Sequence, residues 1–360
     1  MERILSAYRR RIGDFEVVEV DEKQIGELRQ RLDIDAPVEV HWTWDYGSQA
    51  GELRALYERG KRGQWNAEDD LDWGLPVPSW DGSMIDIDNE LLMLPQILKA
   101  MGADPETRGR AAAHELAYVF SQLLHGEQAA LQICGQLTNV CPTIDAKLYA
   151  SSQVADEARH VEVIAKLLER KLGTLYPVGP TLKELLDQLL TAPTWKTKTL
   201  GMQTLFEGMA VAVFDGLGKA SRTTLLTDIL RRVKVDEARH TAFGILTMRR
   251  VMREASDEER AELEDFAFSI LETLNANQNL DMLRTLGPRY GIDPEAIVQL
   301  ALGLPEWSQL NSKVFMHTVI PNLSRLGLIT ERTEDAYRER GIIHGDRFGH
   351  AIDPDVAAAF

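Results

Sequence analysis

The pentapeptide Asp-Glu-Ala-Arg-His occupies residues 156–160 and occurs again, unchanged, at residues 236–240. Residues three apart lie on the same face of a helix, so each motif presents its glutamate and its histidine side by side. A single glutamate precedes each motif glutamate by 30 positions, Glu127 in the first half of the repeat and Glu207 in the second. A helix can run on, turn and come back within that distance. The spacing therefore predicts two antiparallel helix pairs whose acidic and histidine side chains meet at one depth.

The repeat supplies the ligand set of a two-metal site. A four-helix bundle in which two helices each carry a glutamate and two carry Glu-x-x-His is the ferritin-like arrangement for two iron or manganese ions. We therefore expect the metal ligands to be Glu127, Glu157, His160, Glu207, Glu237 and His240. A single Glu-x-x-His is usually a solvated pair, but two copies with identical partner spacing favour metal binding. These ligands suit two iron ions, and manganese or a mixed manganese and iron pair fits them as well.

The composition describes a globular protein and excludes some functions. The chain has 360 residues, of which 44% are hydrophobic, and its net charge of −16 argues against binding to nucleic acid or to anionic membrane surfaces. It has no apolar run of about 18 residues, and its N-terminus lacks the apolar centre of a signal peptide, so we expect a cytoplasmic protein. The only cysteines, Cys134 and Cys141, cannot build an iron–sulfur site, so electrons must come from an external reductase or ferredoxin.

The fold is expected to be all-α, a ferritin-like four-helix bundle with additional helices. Residues 1–80 form an aromatic N-terminal arm packed on the core, residues 81–330 the helical di-metal domain, and residues 331–360 a polar tail that serves as a surface arm or a dimer contact. The stretch 64–73 is expected to cross the outside of the bundle as an irregular strap, with a role at the substrate entrance as the alternative. Periodicity and Pro or Gly breaks predict helices near residues 48–61, 88–101, 108–138, 145–172, 181–190, 195–220, 223–253 and 257–286, and between 294 and 327.

Neighbours of the ligands on the same helix faces predict a pocket. It is mainly apolar with a few amides, which suits a small aromatic or aliphatic substrate, and plain core packing is the alternative. Its members are Gln128, Leu131, Gln153, Ile164, Gln203, Val211, Val233 and Gly244. At about 100° per residue, His114 and His125 lie off the ligand face and are expected to be surface or outer-layer groups. Cys134 shares that face but sits about 10.5 Å further along the helix, so we expect a buried structural thiol.

The paired motifs resemble those of the bacterial multicomponent monooxygenase hydroxylases, within the di-iron carboxylate superfamily that includes the ribonucleotide reductase small subunit. The resemblance covers roughly residues 108–253. It implies that Asp156 holds His240 and that Asp236 holds His160, which agrees with the rule that a metal-binding histidine donates its other N–H to a carboxylate. Arg159 and Arg239 would pair with these aspartates, and exposed helix charges are the alternative. The strap at 64–73 also resembles an N-terminal stretch in relatives of the p-aminobenzoate N-oxygenases.

The chain differs from each named relative at one position. Ile164 stands where the reductase small subunit carries its radical tyrosine, so radical initiation is not expected. Val211 replaces a threonine that the methane and toluene hydroxylases share, so proton delivery to oxygen needs another route. Val233 stands where the N-oxygenases add a third histidine, and Met202 where the ligand-binding oxidases carry a cross-linking tyrosine. These departures leave a general oxygenase.

The function expected from the motifs and the resemblance is an O2-dependent di-iron oxygenase, a homodimer, that hydroxylates or otherwise oxidises a small organic substrate with external electrons. One alternative within the same superfamily is N-oxygenation of an amine. The alternative from another class is a non-catalytic protein that binds or stores iron. A storage protein is usually a short chain that closes into a shell, and 360 residues with long arms argue against that role.

Overall fold

The computed structural model describes residues 40–43, 45–78, 80–304 and 313–344, and only the backbone at 277–279. The α-helices are α1 (Gly51–Arg62), α2 (Met93–Ala100), α3 (Pro105–Val140), α4 (Ile144–Leu167), α5 (Pro180–Leu190), α6 (Trp195–Lys198), α7 (Glu207–Ala220), α8 (Thr224–Glu254), α9 (Asp257–Leu286), α10 (Pro294–Leu302), α11 (Ile320–Leu326) and α12 (Glu334–Glu339). The π-helical segments are π1 (Leu168–Leu172), π2 (Thr199–Phe206) and π3 (Phe315–Val319). Across these ranges the structure contains no strand, only an isolated bridge between Ile85 and Ser221.

The centre of the molecule is a four-helix bundle. Helix α3 packs along α4, and the continuous rod formed by α6, π2 and α7 packs against α8. Contacts between α4 and α8 and between α3 and π2 close the bundle. The predicted all-α, ferritin-like fold is confirmed, and the two helix pairs are the ones that the spacing of 30 residues indicates. Helices α1, α2, α5, α9 and α10 surround this centre.

Local sequence signals explain where the bundle helices begin and end. Asp104 caps α3 by accepting a hydrogen bond from the backbone N of Thr107 at 2.9 Å, and Pro105 follows as the first helical residue. Thr143 caps α4 in the same way, directly after α3 ends. The predicted start of α3 at residue 108 is therefore three residues late, because the capping side chain and the proline extend the helix backwards.

The other predicted boundaries differ from the structure in two instructive places. The helix expected from residue 88 begins at Met93, because residues 86–92 form hydrogen-bonded turns such as the one from the Leu92 N to the Asn89 O at 3.1 Å. The helix expected over 195–220 is continuous but runs through π2 immediately before Glu207. Segments of π-helix inside α-helices occur frequently at functional sites. Hydrophobic periodicity does not distinguish them from α-helix.

The N-terminal arm can be judged only from residue 40 onwards. Helix α1 packs on α4 and α8, and it is anchored by the buried Asp145, which accepts hydrogen bonds from the Ala50 N and the Arg54 Nε at 2.7 Å each. Of the tail at 331–360, residues 345–360, including His350, lie outside the described residues. The division into arm, domain and tail stays a prediction. None of the described helices is both long enough and apolar enough to cross a membrane.

Candidate metal centre

The structure brings all six predicted ligands together in the middle of the bundle. Their side chains are buried, with Glu127 the most exposed at 6%. They fall into two overlapping sets, and within each set one ligand atom per residue lies within 4.8 Å of the others. The His160 group is Glu127, Glu157, His160 and Glu237, and the His240 group is Glu157, Glu207, Glu237 and His240. Glu157 and Glu237 belong to both groups, as bridging ligands between two metal ions would.

Both histidines direct the same ring nitrogen at the carboxylates. His160 Nδ1 lies 2.9 Å from Glu237 Oε1 and 3.3 Å from Glu127 Oε2. His240 Nδ1 lies 3.0 Å from Glu237 Oε2 and 3.2 Å from Glu157 Oε1. The two ring centroids are 5.8 Å apart. Each imidazole therefore offers one nitrogen to its own group of carboxylates and leaves the other facing outwards.

The outward nitrogens meet the aspartates of the opposite motifs. His160 Nε2 is 3.2 Å from Asp236 Oδ2, and His240 Nε2 is 3.3 Å from Asp156 Oδ2. This crosswise arrangement is the one that the resemblance implies. When Nε2–H donates to the aspartate, the Nδ1 lone pair is free for a metal ion.

Two buried arginines balance the aspartates. Arg159 Nη2 donates to Asp156 Oδ1 at 2.7 Å and to Asp236 Oδ2 at 2.9 Å. Arg239 donates to Asp236 and lies 3.8 Å from Asp156 Oδ2. Burial opposes ionisation of Asp236, but the hydrogen bond from His160 and the charges of both arginines outweigh it and lower the pKa of Asp236. Both arginines are buried, so the alternative of exposed helix charges is wrong.

The charges of the cluster require compensation. Burial, followed by repulsion from Glu237, raises the pKa of Glu127 and of Glu207 well above the ordinary value. Burial alone would lower the pKa of His160, but the carboxylates around it, Glu237 foremost, raise that pKa well above its usual range. Without metal, the site must therefore take up protons to reduce its buried negative charge. Two divalent cations would neutralise this negative charge in place of the protons.

The donor set fits such ions. Four carboxylates and two imidazoles, with no thiolate among them, are the ligands that iron and manganese accept. Glu157 Oε2 is buried and accepts no hydrogen bond from the described residues, and its charged neighbour is His160 Nδ1 at 3.3 Å, the nitrogen that would bind the same metal ion. The side chains present therefore suit a two-metal centre.

Two residues of the N-terminal strap reach the aspartates, which the sequence alone did not indicate. Gln64 donates through Nε2 to Asp156 Oδ1 at 2.7 Å and accepts from Arg159 Nη1 at 2.6 Å. Trp65 donates through Nε1 to Asp236 Oδ2 at 2.8 Å. The strap thus packs on the bundle and also contacts the groups that orient both histidines. The only sequence feature that pointed to this segment was its cluster of tryptophans, and such a cluster does not indicate which residue each tryptophan contacts.

The predicted pocket is only partly assembled. Gln153 and Gln203 are fully buried, and Gln153 Nε2 donates to Glu157 Oε1 at 2.8 Å and to Glu207 Oε1 at 3.0 Å. The apolar members at positions 164, 211 and 233 are buried as well. Gln128 is exposed, so its assignment to the pocket is wrong. It follows Glu127 by one residue, and one step of a helix turns the side chain by about 100°.

The remaining candidate residues lie outside the two ligand groups. His114 is buried, not at the surface, with Nδ1 2.9 Å from the Tyr176 hydroxyl. His125 Nε2 lies 3.0 Å from the Tyr176 carbonyl oxygen. Cys134 is buried, as expected, and its Sγ accepts a hydrogen bond from Gln203 Nε2 at 3.3 Å. Burial, followed by the charges of Glu157 and Glu207, raises the pKa of the Cys134 thiol.

No family model and no curated protein matches the chain. Solved structures of an R2-like ligand-binding oxidase do match in fold. One variant of it, with an aerobically reconstituted Mn/Fe cofactor, shares 17% identity at a TM-score of 0.47 and covers 80% of this chain and 96% of its own. Another, with an anaerobically reconstituted Mn/Fe cofactor, shares 20% identity at the same TM-score and the same two coverages.

These structures are similar to this chain at low identity. The ligand-binding oxidases are also the relatives from which Met202 separates this sequence, and Met202 is buried in π2.

Proposed function

We propose that this protein is an O2-dependent di-iron oxidoreductase that oxidises a small organic substrate, with monooxygenation as the reaction. The observation that carries the proposal is the pair of buried ligand groups joined by Glu157 and Glu237. When bound there, two adjacent Fe(II) ions would supply electrons to O2 and so generate the oxidant. Manganese in one or both positions would fit the same ligands.

The protein's own side chains would bind the metal ions, orient the metal-binding histidines and exclude water from the cluster. Glu127 and His160 would hold one ion, Glu207 and His240 the other, and the two shared glutamates both. Asp156 and Asp236, braced by Arg159 and Arg239, keep each imidazole in the tautomer that leaves Nδ1 free to bind a metal. The buried apolar side chains at positions 164, 211 and 233 keep bulk water away from the cluster.

The electrons for turnover come from outside the chain in this proposal. Monooxygenation consumes one O2, two electrons and two protons, and it yields one hydroxylated product and one water. The two free cysteines are buried and isolated, so we expect a ferredoxin or flavin reductase as partner. Cytoplasmic residence and a homodimer complete the proposal. The acidic surface, with a net charge of −16, supports a partner that is not nucleic acid.

Oxygen-isotope labelling with a reductase present tests the reaction. Protein loaded with Fe(II) and given 18O2, a reductase and candidate aromatic, aliphatic and amine substrates should place one labelled atom in the product. Peroxide should replace the reductase and O2. The same assay separates N-oxygenation from C-hydroxylation by the position of the label. If added Fe(II) and O2 instead mineralise many irons per chain, unaffected by any substrate or reductase, the storage function replaces this proposal.

A further inference from the structure

The buried amide of Gln153 contacts the two ligand groups of the candidate metal centre unequally. Its Nε2 lies 2.8 Å from Glu157 Oε1, a ligand that both groups share, and 3.0 Å from Glu207 Oε1, which only the His240 group contains. In the described part of the chain, no side-chain amide contacts Glu127, which is specific to the His160 group. The two groups therefore differ in what supports their carboxylates.

The orientation of the Gln153 amide follows from its neighbours. Gln153 Nε2 also lies 2.8 Å from Gln203 Oε1, so its two N–H groups are shared among three acceptors, and Gln203 Nε2 donates in turn to Cys134 Sγ at 3.3 Å. Because the Gln203 oxygen faces Gln153, the nitrogen of Gln153 must face that oxygen. A flipped Gln153 would set its own oxygen against those of Gln203, Glu157 and Glu207.

Core stability alone does not account for this arrangement. Gln153 Oε1 is buried and accepts no hydrogen bond from the described residues, and a buried unsatisfied oxygen costs roughly 1–3 kcal/mol. The chain also brings Gln203 unusually near to α8. A Cβ built at Gly244 would lie 2.7 Å from the carbonyl carbon and oxygen of Gln203, so only glycine admits this approach of π2.

The contacts of Glu207 show what Gln153 does. Glu207 Oε1 is the oxygen that accepts from Gln153, whereas Oε2 faces His240 Nδ1 at 3.9 Å. The hydrogen bond therefore holds the carboxylate so that Oε2 is directed towards the histidine of its group. Such outer contacts orient metal ligands, and their loss typically lowers metal affinity by about 10-fold to 100-fold.

We propose that Gln153 is a positioning residue for one of the two metal ions, the one bound by Glu207 and His240, and that Gln203 and Cys134 hold it in place. This inference rests on the proposed two-metal function. It states that the ion of the His240 group depends on Gln153 more strongly than the ion of the His160 group, whose only ligand in contact with Gln153 is the shared Glu157. The ion of the His240 group would be lost first when the amide is removed.

The test is a titration of the full chain with Co(II), in which binding is measured by calorimetry and by visible absorption. Wild-type protein should bind two ions. Gln153→Met, which keeps the length of the side chain but removes the donor, should weaken the binding step of the His240 group by about 10-fold to 100-fold and the other step by a clearly smaller factor. Gln128→Met is the matched control, because Gln128 is an exposed glutamine beside Glu127. It should bind both ions as the wild type does.

Two ligand variants assign the affected step. In a Glu127→Ala background the ion of the His240 group remains, and Gln153→Met should still cost about 10-fold or more. In a Glu207→Ala background the one contact of the amide that is specific to the His240 group is gone, and Gln153→Met should change the remaining affinity by a clearly smaller factor, through the shared Glu157, than in the Glu127→Ala background. A Gln153→Met protein that binds both ions normally, or loses both equally, overturns the inference.

The outcomes separate this inference from the proposed function. A wild-type chain that binds fewer than two ions contradicts the two-metal proposal itself, whatever Gln153 does. If circular dichroism shows that Gln153→Met does not fold, Gln203→Met replaces it, because that change removes the anchor of Gln153 and leaves its amide in place. Gln203→Met should weaken the same step by a smaller factor. No change, or equal weakening of both steps, then contradicts the inference.

Discussion

At the scale of single residues, the histidines and their aspartates depend on a tryptophan from the distant N-terminal strap. Trp65 Nε1 donates to Asp236 Oδ2, the same oxygen that lies 3.2 Å from His160 Nε2. Trp65→Phe keeps an aromatic ring over the bundle and removes this donor. We expect metal affinity to fall by roughly 10-fold, because Asp236 becomes less firmly held against the histidine. Competition with a chelator of known affinity would measure the change.

The same strap provides the control. Trp73 Nε1 donates to the Ala67 carbonyl oxygen at 2.8 Å, a contact that touches none of the six ligands or their aspartates. Trp73→Phe should cost about 1 kcal/mol of stability, the usual net value of one hydrogen bond, with metal affinity unchanged. Equal metal affinities for the two variants would contradict the role of Trp65.

Residue spacing alone selected the six candidate ligands that the structure brings together, because helical periodicity is a local property. Glu157 and His160 share a face by their separation of three, and the same rule placed Gln153 beside Glu157. It could not place Gln64 or Trp65, which lie 92 and 171 positions from their aspartates. Contacts of that range depend on how α1 and the strap dock, and sequence patterns carry no information about that docking.

The pH dependence of stability, also at the residue scale, depends on Glu115. This buried carboxyl accepts hydrogen bonds from the Met93 and Leu94 N–H groups at the start of α2. Burial raises the pKa of Glu115 to about 7 from 4.5. The folded state therefore holds this proton more tightly than the unfolded state, so the stability it contributes is complete below about pH 4.5 and is lost as pH rises to about 7. Urea unfolding should show a steeper decline over this window for the wild type than for Glu115→Gln, by about 3 kcal/mol in total. If the free energies of unfolding of the two proteins changed with pH in parallel, the raised pKa of Glu115 would be contradicted.

At the scale of elements, the packing of π2 on α8 depends on Gly244. A Cβ there would lie 2.7 Å from the backbone of Gln203, which belongs to a helix and cannot move aside as a flexible side chain can. Gly244→Ala should therefore destabilise the protein by about 1–3 kcal/mol, the usual cost of overpacking. It should also weaken metal binding at the His240 group, because π2 carries Gln203 and leads directly into Glu207.

A second glycine makes the matched comparison. Gly135 lies within α3, and a Cβ at that position meets nothing within 4 Å. Gly135→Ala should stabilise the protein by roughly 0.5–1 kcal/mol through the helix propensity of alanine. Thermal unfolding of both variants would check the pair. Similar shifts of the same sign would show that glycine at 244 serves no close approach.

The helices could be predicted from their proline and glycine breaks and from hydrophobic periodicity, whereas the π-helical segment π2 could not. Pro142 and the Pro177 to Pro180 run mark breaks that the structure contains. The π-helical turn has the same apolar composition as the helix around it, and within it Gly201 and Gln203 pack closely against neighbouring helices. Such widening depends on tertiary contact and leaves little trace in a single sequence.

At the scale of the whole molecule, the four helices of the bundle enclose buried negative charges that metal would neutralise. Binding of ions to the folded state alone adds about 2.7 kcal/mol of stability per site at a free metal concentration 100 times the dissociation constant. We therefore expect Fe(II) or Mn(II), added under anaerobic conditions, to raise the melting temperature of the apoprotein by several degrees. Calorimetry should show the shift saturating near two ions per chain.

Because Glu157 and Glu237 belong to both groups, replacing the pair should remove both ions together. The Glu157→Ala, Glu237→Ala double variant also relieves buried charge, so its apoprotein can be as stable as the wild-type apoprotein, or more so. Its melting temperature should nevertheless no longer respond to metal, whereas Glu127→Ala should retain part of the response through the His240 group. The discriminating quantity is thus the shift caused by metal and not the melting temperature itself. A double variant that still binds two ions and still gains stability from them would show that the centre lies elsewhere in the molecule.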